Sequence, residues 1–220
     1  MPNLVDVILL DIDGVLLPFG DNISDGYNNN GTSKHEGYIF PDDTMHALTV
    51  LLQQISNLSF NTSSNQVHKG NPVLVLSSTW RARPEFIRDI LNSFQIYADK
   101  KGLEDASILQ TWKQTNCLES FFDVTDPTYH STRHDEIMKW VNENTTSNEG
   151  TNEKRTKSFV VRSWVVLDDE DIVNVEGQQH KDMLEHAVQT NSSTGLTTED
   201  VALGVELIKK QILRYHEGSK

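Results

Sequence analysis

Residues 4–14 read Leu-Val-Asp-Val-Ile-Leu-Leu-Asp-Ile-Asp-Gly, a run rich in Val, Ile and Leu from Leu4 to Leu10 that breaks into Asp11, Asp13 and Gly14. A continuous apolar run of this length suits a strand buried on both faces, as in a parallel sheet. Similar runs recur along the chain. Val73–Leu76 ends in Ser77-Ser78-Thr79, Phe121–Val124 in Thr125-Asp126-Pro127, and Trp164–Leu167 in Asp168-Asp169-Glu170-Asp171; His186–Gln189, ending in Thr190-Asn191, is a weaker fifth. Helical patterns separate them. One starts at Pro41-Asp42-Asp43 and carries Leu48, Leu51, Leu52 and Ile55 on one face. Another starts at Pro84, with Phe86, Ile87, Ile90, Leu91 and Phe94. Residues 104–118, Arg133–Val141 and a stretch capped by Thr197-Thr198-Glu199-Asp200 complete the set. Strands alternating with helices predict an α/β fold, a Rossmann-like three-layer sandwich around a central parallel sheet of about five strands.

The chain has 220 residues, 19 Lys and Arg against 32 Asp and Glu, and a net charge of −13. That balance opposes nucleic-acid binding over the whole surface, though not a local basic site. Its hydrophobic share, 36%, is lowered by three polar runs near residues 21–33, 57–70 and 142–158. These lack periodicity and read as mobile surface insertions within a single domain spanning 1–220. No run approaches a membrane span, and the start lacks the basic residues of a signal peptide. The single cysteine, Cys117, excludes an intrachain disulfide and any multi-cysteine metal site. An intracellular, cytoplasmic setting is expected.

Ligands of parallel α/β sheets bind at the carboxyl ends of the strands. Here those ends carry Asp11 and Asp13, Ser77, Ser78 and Thr79, Thr125 and Asp126, and Asp168 and Asp169. Four carboxylates in one crevice repel one another unless a cation neutralises them. Oxygen-only ligands favour Mg²⁺, and the eight histidines show no metal-site spacing.

Leu9–Leu16 resembles motif I of the haloacid dehalogenase (HAD) superfamily, Leu74–Ser78 its motif II, and Val165–Asp169 its acidic motif IV. Arg133 is the best match to motif III, usually a Lys, with Lys139 a weaker candidate. The whole series more specifically resembles HAD domains related to Swiss Army Knife RNA repair proteins, through Ser77-Ser78-Thr79-Trp80-Arg81, Arg133-x-x-Glu136-Ile137-x-x-Trp140, Trp164–Asp169, and Gly195-Leu196-Thr197.

The resemblance implies a Mg²⁺-dependent phosphomonoester phosphatase. Asp11 would be the nucleophile and Asp13 the general acid and base. Ser77, with Ser78 beside it, would hold a phosphoryl oxygen, and Arg133 would offset its charge. Asp168 and Asp169 would bind Mg²⁺ with Asp11 and the Asp13 carbonyl. Glu136 reads as support for the helix or a neighbouring arginine, Trp80 and Trp140 as core or support, and Cys117 as passive. His130 and His134, flanking Arg133, read as surface positions. In this superfamily caps confer specificity, and neither insertion site, Pro18–Phe40 or Asp126–Thr132, is long enough for a cap domain. A capless, open site favours a substrate that excludes water by itself, such as a nucleic-acid end or a protein loop; the net charge of −13 opposes tight backbone binding and leaves a nucleotide or small phosphomonoester open. Arg81, Arg83 and Arg88, with Trp80 and Tyr129, favour an anionic substrate, and Arg81 is the candidate contact. Phosphate transfer to another acceptor, or a non-catalytic metal-binding or protein-interaction module, are the alternatives.

Overall fold

Every strand of the central sheet runs the same way, because each connection between successive strands of that sheet crosses over and returns the chain to the same end of it. The structure, a computed structural model, describes residues 3–19, 39–61, 67–126, 131–145 and 159–218. Strands β1 (Asn3–Leu10), β4 (Pro72–Leu76), β5 (Asp123–Val124), β6 (Phe159–Asp168) and β9 (Ala187–Gln189) form a five-stranded parallel sheet. Its order is β5-β4-β1-β6-β9, with β1 in the middle. Helices α1 (Asp42–Asn57), α2 (Pro84–Glu104), α3 (Ala106–Gln114), α4 (Arg133–Thr145) and α5 (Thr198–Gly218) flank it. The α/β three-layer expectation holds.

The alternation of β1 divides the core in two. Ile8 and Leu10 pack with Leu74, Leu76, Val165 and Leu167 under α1, α2, α3 and α5. Val5, Val7 and Leu9 face the other way, joining Val75 and Val166 against Ile137, Trp140 and Val141 of α4. Ile172 and Met183 complete that second layer. A strand flanked on both sides and buried on both faces must be apolar at every position, which is why 4–10 reads as a continuous run.

Asp6 is the exception. A register shift between Val5 and Asp6 brings Arg162 of β6 alongside it. The fully buried carboxylate accepts bonds from Arg162 Nε (3.0 Å) and Nη2 (2.6 Å), Ser163 Oγ (2.7 Å) and the Asn71 amide (2.8 Å). This network sits near the amino ends of the strands, away from the crevice.

The polar runs divide. Residues 21–33 lie outside the described residues. Within 57–70, expected to be a structureless insertion, β2 (Ser59–Asn61) and β3 (Val67–Lys69) instead pair as an antiparallel ribbon. Phe60 anchors it in the core, and the Gly70 amide closes it on the Leu58 carbonyl. One aromatic among polar residues sufficed, and no periodicity announces it. Helix α4 continues into the third run as far as Thr145, and 146–158 lie outside the described residues. Among the described residues no helix is long and apolar enough to cross a membrane.

Candidate active site

The carboxyl ends of β1, β4 and β6 converge because the ladders continue one residue beyond the strands. The Asp11 amide bonds the Leu167 carbonyl (3.0 Å), and the Ser77 amide bonds that of Leu10 (2.9 Å). After Asp11 the chain turns tightly, with the Ile12 carbonyl accepting from Leu16 and Leu17 (2.9 Å each). Gly14 permits the turn at φ +69°, and a β-carbon there would lie 2.3 Å from Asp169 Cγ. Only glycine allows both the backbone angle and the approach of Asp169. The Thr190 hydroxyl, at the end of β9, ties the turn down through the Gly14 carbonyl (3.0 Å).

Oxygens of Asp11, Asp168 and Asp169 lie within 4.8 Å of one another. Asp168 is fully buried, with Oδ1 accepting from the Glu170 amide (3.0 Å). Burial, then the Asp11 charge, push its carboxyl well above the ordinary range, and Asp169 is raised by the same two causes. The Asp13 carboxylate accepts from Trp80 Nε1 (2.9 Å). Burial raises Asp13 most and the Asp11 charge adds to it, while the Trp80 bond opposes both.

Arg133 reaches across the crevice, with Nη2 3.7 Å from Asp11 Oδ1 and Nε 3.4 Å from Asp168 Oδ2. Its position follows from how α4 is fixed. Thr132 and Asp135 form a reciprocal cap, Asp135 N–H to Thr132 Oγ1 (3.2 Å) and Thr132 N–H to Asp135 Oδ2 (3.1 Å). Trp140 Nε1 bonds Asp123 Oδ2 (2.7 Å), locking the helix to β5. Lys139 instead lies at the surface by Asp126.

Ser77 and Ser78 are fully buried. Arg81 lies directly beneath them, donating through Nη1 to both carbonyls (2.6 Å each) and through Nη2 to Glu136 Oε2 (2.5 Å). Its terminal nitrogens therefore brace the strand end, although the residue also borders the crevice. Glu136 supports Arg81, as expected, and stands 4.0 Å from Arg133. Tyr129 and His130 lie outside the described residues. Trp80 and Trp140, read as support, both donate to carboxylates. An indole near a carboxylate in space leaves no sequence signal of which Asp it meets.

Five buried polar atoms in and beside this crevice have no hydrogen-bond partner among the described residues: Asp11 Oδ1, Ser77 Oγ, Arg81 Nε, Arg133 Nη1 and Asp168 Oδ2. Asp11 Oδ1 and Asp168 Oδ2 meet Arg133 only at ion-pair distance and are acceptors suited to a cation; Ser77 Oγ and Arg133 Nη1 are donors suited to an anion. Thr125 Oγ1, fully buried beyond β5, is likewise without a hydrogen-bond partner among the described residues. Beside them opens a cleft of about 600 Å³, walled by Ser131, Arg133 and Glu136 on one side and Glu170, Ile172 and Val175 on the other.

Residues 7–201 match the family model for the HAD domain in Swiss Army Knife RNA repair proteins. The chain belongs to this family. All the strand ends just described fall inside the matched region. No curated protein and no solved structure matches the chain. The HAD family generally uses Mg²⁺, and the three-carboxylate group of this HAD domain has the donor set for it.

Proposed function

We propose that this HAD domain is a Mg²⁺-dependent phosphomonoesterase acting through an aspartyl-phosphate on Asp11. The observation that supports it is the pairing of unmatched acceptors, on Asp11 and Asp168, with unmatched donors, on Ser77 and Arg133, in one buried crevice. Asp11, Asp168, Asp169 and the Asp13 carbonyl would hold Mg²⁺, which when bound supplies the positive charge that lets a carboxylate approach a phosphoryl group.

Asp11 Oδ attacks phosphorus, and the bond from phosphorus to the ester oxygen breaks. Asp13 gives that oxygen its proton, so the alcohol leaves neutral. Burial favours the protonated form of Asp13 that this step needs. Water then attacks phosphorus of the aspartyl-phosphate, Asp13 takes back a proton, and inorganic phosphate leaves with Asp11 restored. Ser77 Oγ, the Ser78 amide and Arg133 hold the phosphoryl oxygens throughout; positioning and charge compensation are most of what phosphoryl transfer requires. Arg81 contributes by holding the Ser77 and Ser78 carbonyls in place.

We further propose nucleotides or RNA phosphate ends as the substrate class, on the strength of the family and of the cleft. The test is phosphate release from nucleotides and from oligonucleotides with 3′- or 5′-phosphates, with and without Mg²⁺. Release that needs both Mg²⁺ and Asp11 is expected. Unchanged turnover by Asp11→Asn refutes the mechanism, and no release from any substrate by the folded, Mg²⁺-loaded protein favours a non-catalytic module.

A further inference from the structure

A second cluster of ligand-type side chains lies behind the cleft. His134, in the first turn of α4, is buried, at 8% exposure, although its position beside Arg133 suggested a surface residue. It faces His180 and Asp182, which come from the segment between β6 and β9. The two imidazole centroids are 3.7 Å apart, and His134 Nε2 is 3.7 Å from Asp182 Oδ2. One ligand atom from each of the three residues falls within 4.8 Å of the other two. Sequence spacing hides this group, because 46 residues separate the two histidines (180 − 134).

Neither nitrogen of His134 makes a well-formed hydrogen bond among the described residues, though each faces a carboxylate at 3.5–3.7 Å. A buried imidazole always carries at least one donor, and when neutral one acceptor, and burying either unmatched is costly. Asp135 Oδ1 stands 3.5 Å from Nδ1, the side away from Asp182. A carboxylate in that place commonly orients an imidazole whose other nitrogen binds a metal.

The backbone that carries the two partners is fixed. His180 and Asp182 sit two residues apart in a turn that follows a tight hairpin. Strands β7 (Asn174–Val175) and β8 (Gln178–Gln179) pair across Glu176 and Gly177, both at positive φ (52° and 79°). The His180 amide bonds the Val173 carbonyl (2.7 Å), and the Met183 amide bonds that of His180 (3.1 Å). Met183 itself is fully buried in the second core layer. The turn therefore presents both side chains to α4 from a fixed base.

We propose that His134, His180 and Asp182 bind one transition-metal ion of the zinc class. Two imidazoles and one carboxylate select zinc, cobalt or nickel over Mg²⁺. A tetrahedral zinc site places its ligand atoms about 3.4 Å apart, so small side-chain rotations would close the group. Three protein ligands leave one position for water. The ion ties the segment carrying Ile172 and Val175, one wall of the cleft, to the helix turn that carries Arg133, the other wall. It is separate from the Mg²⁺ site and stands whether or not the aspartates are catalytic.

The test is Co²⁺ titration of the full chain, freed of metal by chelator and held in excess Mg²⁺, followed by visible absorption. One equivalent of Co²⁺ should give the intense bands of a low-coordinate site with nitrogen ligands, and Zn²⁺ should abolish them. His180→Ala and Asp182→Asn, at positions exposed enough not to disturb folding, should each weaken Co²⁺ binding at least tenfold. His134→Ala should remove it. Asp169→Asn should leave the bands unchanged. Bands that survive His180→Ala or Asp182→Asn at wild-type affinity, bands lost in folded Asp169→Asn, or only the weak absorption of hydrated Co²⁺ would each overturn the proposal.

Discussion

Trp80→Phe isolates a hydrogen bond that positions the proposed general acid. Its indole N–H donates to Asp13 Oδ2 at 2.9 Å, while the ring leans on Phe86 at 5.3 Å between centroids. Phenylalanine keeps most of the ring contact and removes only the donor. A hydrogen bond to a charged group contributes about 1.5–3 kcal/mol when buried. Asp13 is only partly enclosed, and solvent can replace part of the bond, so about 1–2 kcal/mol is the appropriate range. At 1.36 kcal/mol per tenfold in rate, this is a loss of about 5- to 30-fold. The assay compares kcat/KM for an alkyl phosphomonoester, such as a nucleotide, with that for an activated aryl phosphate. kcat/KM reports on transfer to Asp11, the step in which Asp13 protonates the leaving oxygen. An aryl leaving group hardly needs that proton. The alkyl ester should therefore show the whole loss and the aryl ester about a twofold loss at most. The bond also opposes the upward push of burial on Asp13, so its removal should move the alkaline limb of the alkyl profile to higher pH. Equal losses on both esters, with an unmoved pH profile, would refute the positioning role and make Trp80 a packing residue.

Three other outcomes follow from the geometry. Arg162→Met leaves Asp6 buried without its bidentate partner, so urea denaturation should show a loss of about 3–5 kcal/mol; a loss below about 1 kcal/mol would mean that Ser163 and Asn71 suffice. Gly14→Ala forces a β-carbon against Asp169 at a positive φ, so Mg²⁺ affinity by calorimetry should fall at least about tenfold; unchanged affinity would remove Asp169 from the metal site. Asp168 is raised above its unfolded value, so its contribution is present at low pH and lost as pH rises. Metal-free protein should therefore lose stability to urea between about pH 5 and about pH 8, and saturating Mg²⁺ should flatten that slope. A slope equal in Asp168→Asn would place its origin elsewhere.

Several features were legible in the linear chain because they are local. Continuous Val/Ile/Leu runs marked β1, β4 and β6, since strands buried on both faces admit nothing polar in most positions. Pro84 and the Thr197–Asp200 cap marked helix starts, since unmatched amides at a helix end select those residues. The short edge strand was less distinct: Phe121–Val124 read as strand, but only Asp123–Val124 pair as one. The β2–β3 ribbon was missed because a single aromatic, Phe60, holds it. The β7–β8 hairpin was missed because its two-residue strands are too short to show alternation.

By itself the sequence determined the α/β class, the strand order in time, and the placing of Asp11, Asp13, Ser77, Asp168 and Asp169 at strand ends. Those are consequences of hydrophobic pattern and chain punctuation, which act over a few residues. Only the tertiary structure decided which side chains meet. It set Trp80 on Asp13, committed Arg81 to the carbonyls of Ser77 and Ser78, stretched Arg133 between Asp11 and Asp168, and buried His134 against His180 and Asp182. Such contacts join residues as many as 176 positions apart, as Gly14 and Thr190 are. They depend on register, helix rotation and side-chain direction, and residue spacing carries none of these.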